Sequence, residues 1–199
     1  MASTGFSEGS KVVVEQLDDV NWKVWEPFGY TGAHLDTFEV YKGMETDFAS
    51  VPRAFVWFLP RYGAYTKAAM LHDLLWREYA AAGRMDYIDA DGIFRRAMRE
   101  LGVPFLRRWI MWGAVRWGAL VKPGGRKGWL REAWRVLLVT LLALPIVVPP
   151  AILVVLALGA FFVVEGIAWV PLRLIAWAQE RRGTPAKKVV KPAFEWKAT

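Results

Sequence analysis

The chain has no cysteine and only two histidines among its 199 residues. The first absence excludes disulfides and every metal site built on thiolates. The second excludes hydrolase centres that gather several imidazoles around one ion. Phosphate-cradling and zinc-helix motifs are missing as well: there is no G-x-x-x-x-G-K-[ST], G-x-G-x-x-G or H-E-x-x-H. Residues 1–10 contain no basic stretch followed by an apolar core, so no cleavable signal peptide is expected. Residues 1–130 are then expected to stay in the compartment where they are made, or inside a particle. The most informative absence is of charge: residues 136–164 hold 29 consecutive uncharged positions. Core helices of soluble domains keep a polar face, and about 20 apolar residues suffice to cross a bilayer. Membrane association is the expectation that follows.

What is abundant points the same way. There are 12 tryptophans. Trp109, Trp112, Trp117, Trp129 and Trp134 lie close to arginines on the approach to the uncharged run. Amphipathic rings and long cationic stems suit the half-wet bilayer interface, so these five are candidate membrane-interface residues. Residues 1–130 hold 17 Lys/Arg against 15 Asp/Glu, whereas residues 131–199 hold 9 against 4. A basic tail beside an apolar segment meets anionic lipid sooner than nucleic acid. With no recognisable nucleic-acid module present, the expected partner is a lipid bilayer and no specific nucleic acid.

The run itself admits three readings. As one helix it would be about 43 Å long, against about 30 Å of hydrocarbon. Pro145, Pro149 and Pro150 interrupt it, and basic residues flank both ends. It is a tilted, kinked span, or a hairpin that dips in and returns, or an apolar helix buried in a protein assembly.

Before the run, the pattern is that of an α+β domain over residues 1–121. Residues 1–10 are Ser/Gly-rich and expected to be loose. Residues 11–43 alternate apolar and polar between glycines, which predicts a small antiparallel sheet or meander. From Ser50, an N-cap for a short helix with Pro52 in its first turn, the period becomes helical. Helices are predicted over residues 66–82, stopped by Gly83, then over 87–101, capped by Asp86, then over 105–120 behind Pro104. Residues 122–128 read as a basic Gly/Pro hinge. Residues 129–182 form the membrane-inserting segment, its last part (165–177) an interfacial amphipathic helix. Residues 183–199 form a basic tail that Phe194 and Trp196 could anchor.

Polar residues in apolar surroundings concentrate in three places: T-D-F-A-S-V-P-R at 46–53, L-H-D-L at 71–74, and Arg84 followed by Ala90 and Asp91. Helix neighbours three and four apart share a face. That places His72 among Ala68, Ala69, Leu75 and Trp76, and Asp91 among Tyr87, Ile88, Phe94 and Met98, so both should point inward. A buried carboxylate needs a partner, and in an antiparallel helix pair His72 and Asp91 are natural partners, with Asp47 close enough to join. Asp73 has Arg77 four residues on, and Arg53 and Arg84 suit loop ties or substrate contacts. One histidine with several aspartates suits one hard or borderline divalent ion, held by Asp47, His72, Asp73 and Asp91, that would activate water. A metal-free alternative uses Ser50 as nucleophile, His72 as base and an aspartate to orient it. The bland reading of the same residues is a set of caps and a core histidine.

The order TDFASVPR, then a helix with A-A-x-L-H-D-x-L, then an R…A-D-x-x-F helix ending in L-G-V, resembles the DUF1353 family over residues 25–118. The resemblance singles out Asp47, Ser50, Pro52, Arg53, His72, Asp73, Arg84 and Asp91. It implies a phage or prophage setting and no known activity. Two expectations follow. In the first, the protein is membrane-associated and acts by binding and insertion, as a virion tail component engaging the host membrane or as an accessory protein at the inner membrane, with phage or virion proteins as partners. In the second, it is a membrane-tethered, metal-dependent hydrolase using the Asp/His site.

Overall fold

The computed structural model describes residues 4–34, 36–49, 51–183 and 188–194. Ser50 and Trp196, both singled out in the sequence, lie outside the described residues. The order is six short strands, a single 3-10 turn, and four helices. Strands β1 (Gly5–Phe6), β4 (Phe28–Thr31) and β5 (Thr37–Val40) form one antiparallel sheet in the order β1-β4-β5. Strands β2 (Val14–Gln16), β3 (Trp22–Val24) and β6 (Glu45–Thr46) form a second, in the order β2-β3-β6. The expected α+β class is what is found, with two three-stranded sheets in place of one meander. Each sheet is a local hairpin joined by a distant strand, and such non-local pairings leave no periodic trace in sequence. Strand β1 lies in the stretch expected to be loose. It pairs Phe6 with Tyr30 because the Phe6 ring packs against Tyr30 at 4.9 Å and Phe28 at 6.0 Å.

A 3-10 turn (Arg53–Phe55) follows Pro52. Helix α1 (Thr66–Leu74) runs on without a break into a π-helical stretch (Leu75–Ala80). Helix α2 (Tyr87–Glu100) buries Ala90, Asp91, Phe94, Ala97 and Met98, a one-face pattern at helical spacing. Asp86 holds the N-cap position as expected, yet its side chain makes no capping hydrogen bond. Helix α3 (Phe105–Ala119) packs against α2. The core joins β4 and β5 to α1 with its π-helical extension, α2 and α3 through Phe28, Tyr30, Val40, Met70, Leu71, Leu75, Phe94, Met98 and Met111.

Residues 122–128 form consecutive hydrogen-bonded turns, including Gly125 to Lys122 and Lys127 to Gly124. They reverse the chain onto α3. Gly125 is required by close approach: a Cβ there would stand 2.4 Å from the Ala119 carbonyl oxygen. Gly128 starts the next helix from the left-handed region, at φ 72°.

Helix α4 (Trp129–Arg181) is one continuous element of 53 residues, about 80 Å at the usual rise. The hairpin reading of residues 136–164 is therefore not what is found, nor is a separate amphipathic helix at 165–177. Four prolines, Pro145, Pro149, Pro150 and Pro171, lie inside it. Each lacks the N–H that would have bonded the carbonyl four residues back, and the helix continues through them. The N-terminal half of α4 packs on α3 and the 3-10 turn through a stripe of Val136, Val139, Ala143, Val147 and Ala151. Its other faces, and nearly all of its second half, are bare: Leu137, Leu141, Leu153, Leu156, Phe161 and Ile167 are all exposed. Among the described residues it is the one helix long and apolar enough to cross a membrane. The tail touches it where Phe194 meets the Phe162 ring edge-on at 6.0 Å.

The turn onto α3 yields a stability test. Gly125→Ala should destabilise the protein by about 1–3 kcal/mol, because the obstruction is backbone and cannot rotate away. Gly92→Ala, inside α2 with open space around its Cβ, should stabilise by about 0.5–1 kcal/mol. Thermal unfolding of both variants in detergent checks the pair, and equal effects would contradict the assigned packing.

Candidate functional site

Two adjacent stripes of α1 and its π-helical extension carry the polar residues. His72 and Trp76 are four apart, as are Asp73 and Arg77, so each pair shares a face. The first stripe meets α2. His72 Nε2 lies 2.7 Å from Asp91 Oδ1, and Trp76 Nε1 donates to the same oxygen at 2.7 Å. Arg116 Nη1 of α3 donates to the other oxygen, Oδ2, at 2.8 Å. Asp91 and Arg116 are both 0% exposed. Facing a guanidinium, this carboxylate serves as an acceptor, so the Nε2 proton belongs to His72. The other ring nitrogen, Nδ1, makes no hydrogen bond among the described residues. Two further nitrogens of Arg116, Nε and Nη2, are buried without a partner. The whole positive charge of that side chain thus depends on Asp91.

The second stripe faces strand β6 and the loop after it. Thr46 Oγ1 donates to Asp73 Oδ2 at 2.6 Å and accepts from the Phe48 backbone N–H at 3.0 Å. That turn puts Phe48 at φ 57°, an uncommon conformation for a bulky residue, next to Asp47. Arg77 reaches back to Asp47 at 3.0 Å and lies 3.9 Å from Asp73. Arg61 fastens the loop from below, donating to the Asp47 carbonyl at 3.1 Å and the Val20 carbonyl at 2.8 Å. Burial pushes the Asp73 carboxyl up from 3.8 to about 6, against the opposing pull of Arg77 and of the Thr46 hydroxyl. Its side chain is 15% exposed.

Between the two stripes opens a cleft of about 490 Å³. Asp47, His72, Asp73 and Arg77 line it on the polar side, and Phe48, Leu59, Phe94 and Met111 on the apolar side. Trp76, Tyr87 and Lys122 stand at the end formed by the turn after α3. The cleft thus gathers Asp47, His72 and Asp73, three of the residues singled out in the sequence. Asp91 lies behind His72, sealed in the core. Arg84 is elsewhere, with its guanidinium 5.8 Å from the Tyr79 ring, in a separate hollow shared with His34 and Arg95. Arg53 sits on the 3-10 turn beneath α4.

The expected metal set of Asp47, His72, Asp73 and Asp91 does not fit an ion. Among the described residues no three His, Asp or Glu side chains are placed to share one. The reason is visible at Asp91, where both oxygens are already taken by His72, Trp76 and Arg116. The tryptophans also have duties inside the protein. Trp112 is 3% exposed, so it is a core residue and not an interface residue. It packs edge-on against Trp109 at 5.3 Å, with Arg95 over both rings. Trp129 donates to the Arg116 carbonyl at 2.8 Å and packs on Trp117, which donates to Thr140 of α4 at 2.9 Å. Trp134 alone of the five stands mostly in the open, 62% exposed.

Arg116, Trp76, Thr46 and Arg61 were not among the sequence candidates. Arg116 did leave a signal: it falls on the same face of α3 as Trp112, Gly113 and Ala119, all buried. An arginine in an apolar stripe demands an internal anion. Thr46 and Arg61 left none, because their partners are 27 and 14 residues away.

Residues 22–115 match the model of the DUF1353 family, described as a protein of unknown function. No curated protein and no solved structure matches the chain.

Two predictions follow from this geometry. Asp91→Asn should cost about 3–5 kcal/mol by leaving Arg116 buried and uncompensated, and Asp91→Asn with Arg116→Met should recover most of it. Urea unfolding followed by tryptophan fluorescence measures both. For Asp73 the folded pKa is the higher one, so its contribution is complete below the unfolded value and is lost as pH rises through about 6. Asp73→Asn, always neutral, should gain on the wild type between about pH 4 and pH 7, by at most about 3 kcal/mol. A melting-temperature difference that stays constant with pH would contradict this.

Proposed function

We propose that this DUF1353 domain is held at a membrane by α4 and works there by binding and insertion. The observation that carries the reading is the bare apolar surface of α4. Large side chains such as Leu153, Leu156, Phe161, Val164 and Ile167 stand exposed around it. Water is a poor solvent for so continuous an apolar patch, and patches of this extent mark membrane or protein contacts. Only the first half of the helix is occupied in holding the domain, which leaves residues 152–181 unpaired with it. Those 30 residues measure about 45 Å, enough to enter or cross about 30 Å of hydrocarbon. In the phage or prophage setting that the family resemblance implies, this suits a virion tail component that engages the host membrane during entry. An accessory protein at the host inner membrane is the other site of action. Purified particles and infected-cell membranes, probed for the protein, separate the two.

One observation favours a second reading, a membrane-tethered hydrolase. His72 lines the cleft while a buried aspartate orients its ring. In that reading Nδ1 takes a proton from water or from a hydroxyl nucleophile, and Asp91 steadies the resulting imidazolium. Asp73, with its raised pKa, is a second proton carrier in the same cleft.

For the anchoring reading, Leu153→Arg and Leu156→Arg should each oppose insertion by about 2.5–3.5 kcal/mol. Together they should abolish liposome flotation, whereas Leu130→Arg, outside the uncharged run, and the Asp47→Ala/His72→Ala double variant should still float. Flotation that survives the paired arginines would overturn the role given to α4.

A further inference from the structure

The turn end of the cleft has a feature that neither anchoring nor proton transfer uses. Lys122 is exposed on the turn after α3, and its ammonium stands 5.4 Å from the centroid of the Trp76 ring. Trp76 in turn meets the Tyr87 ring edge-on at 4.7 Å. An aromatic face within about 6 Å of a cation attracts it through the ring quadrupole. Asp73, three residues before Trp76 and lining the same cleft, hydrogen-bonds to Thr46 through Oδ2, which also lies 3.9 Å from Arg77, and its Oδ1 makes no hydrogen bond among the described residues. Lys122 itself makes no ion pair among the described residues. The cleft therefore carries an aromatic pair at its turn end and a carboxylate on its polar wall, and the cation over the ring is a tethered one from a flexible stem.

We infer that the cleft binds an organic ammonium group between Trp76, Tyr87 and Asp73, and that Lys122 is an internal stand-in which the ligand displaces. The volume of about 490 Å³ exceeds what one lysine stem fills. The apolar wall of Leu59, Phe94 and Met111 behind the polar groups takes the aliphatic part of the ligand. The chemistry recognised is a cation on a short alkyl chain, from a soluble amine or from an aminophospholipid headgroup. The inference does not depend on α4 crossing a bilayer, nor on His72 acting as a base.

The test uses the full chain in nonionic detergent, with butylammonium chloride as probe and 1-butanol as its neutral counterpart, by isothermal titration calorimetry. Butylammonium should bind and butanol should not. Lys122→Ala should tighten butylammonium binding about threefold to tenfold by removing the competing cation, and Asp73→Asn should weaken it about tenfold. Near-UV circular dichroism checks that both variants keep their packing. Lys122 lies on an exposed turn, so that arm holds even if Asp73→Asn folds poorly. The same titration in nanodiscs of phosphatidylglycerol, with and without phosphatidylethanolamine, assigns the source: competition by the latter indicates a headgroup, and its absence a soluble amine. No binding of butylammonium, equal binding of butanol, or a Lys122→Ala variant that binds no better would overturn the inference.

Discussion

The structure depends on one carboxylate. Asp91 is sealed between three helices and accepts from His72 and Trp76 of the first helical stretch and from Arg116 of α3. Removing a carboxylate and a guanidinium from water is costly unless each satisfies the other and further donors complete the shell. Here the donors come from two different elements, so the network forms only when α1, α2 and α3 are in register. A buried polar network of this kind favours one helix arrangement over its apolar near-equivalents. It also decides the chemistry at the surface. The hydrogen bond to Asp91 selects the His72 tautomer, and the i, i+4 spacing that brings Trp76 to the same oxygen leaves Asp73 and Arg77 on the neighbouring stripe, toward Thr46 and Asp47. The cleft is thus the outer side of the inner network.

Helix α4 is bound to the domain by small and β-branched side chains. Val136, Ala143 and Ala151 are buried, and Val139 and Val147 pack on the core. Short side chains on that stripe let α4 lie close to α3, where the Val139 side chain comes within 3.4 Å of the Cβ position at Gly113. Leucines such as Leu137, Leu141 and Leu153 stand exposed on the other faces. A single helix therefore holds two environments, a dry seam against the domain and an apolar surface suited to lipid. Trp117, Trp129 and Thr140 link the two helices at the turn, so the rings that flank the uncharged run join α3 to α4.

Much of this was legible in the residues. Periodicity located three helices within a few residues of their observed bounds, because each buries one face and ends at a glycine or before a proline. The pairing of His72 with Asp91 followed from two inward-facing polar residues on successive helices, since each could be satisfied only by something equally buried. The metal reading fails at Asp91, whose oxygens are taken by His72, Trp76 and Arg116, partners 15 to 25 residues away in the chain. Trp112 reads as an interface residue because Trp beside Arg has one appearance in sequence, whether the arginine faces lipid or, as Arg95 does, lies over the rings inside the protein.

The sequence by itself determined the α+β class, the three helical segments, the uncharged run and its incompatibility with an ordinary soluble helix. These are local or compositional properties, set by periods of two and 3.6 and by the cost of charge in hydrocarbon. Only the tertiary structure decided that residues 136–164 belong to one continuous helix, that Arg116 completes the Asp91 network, and that Lys122 stands over Trp76. Each of these rests on contacts between residues far apart in the chain, and no local preference encodes which distant partner a side chain will meet.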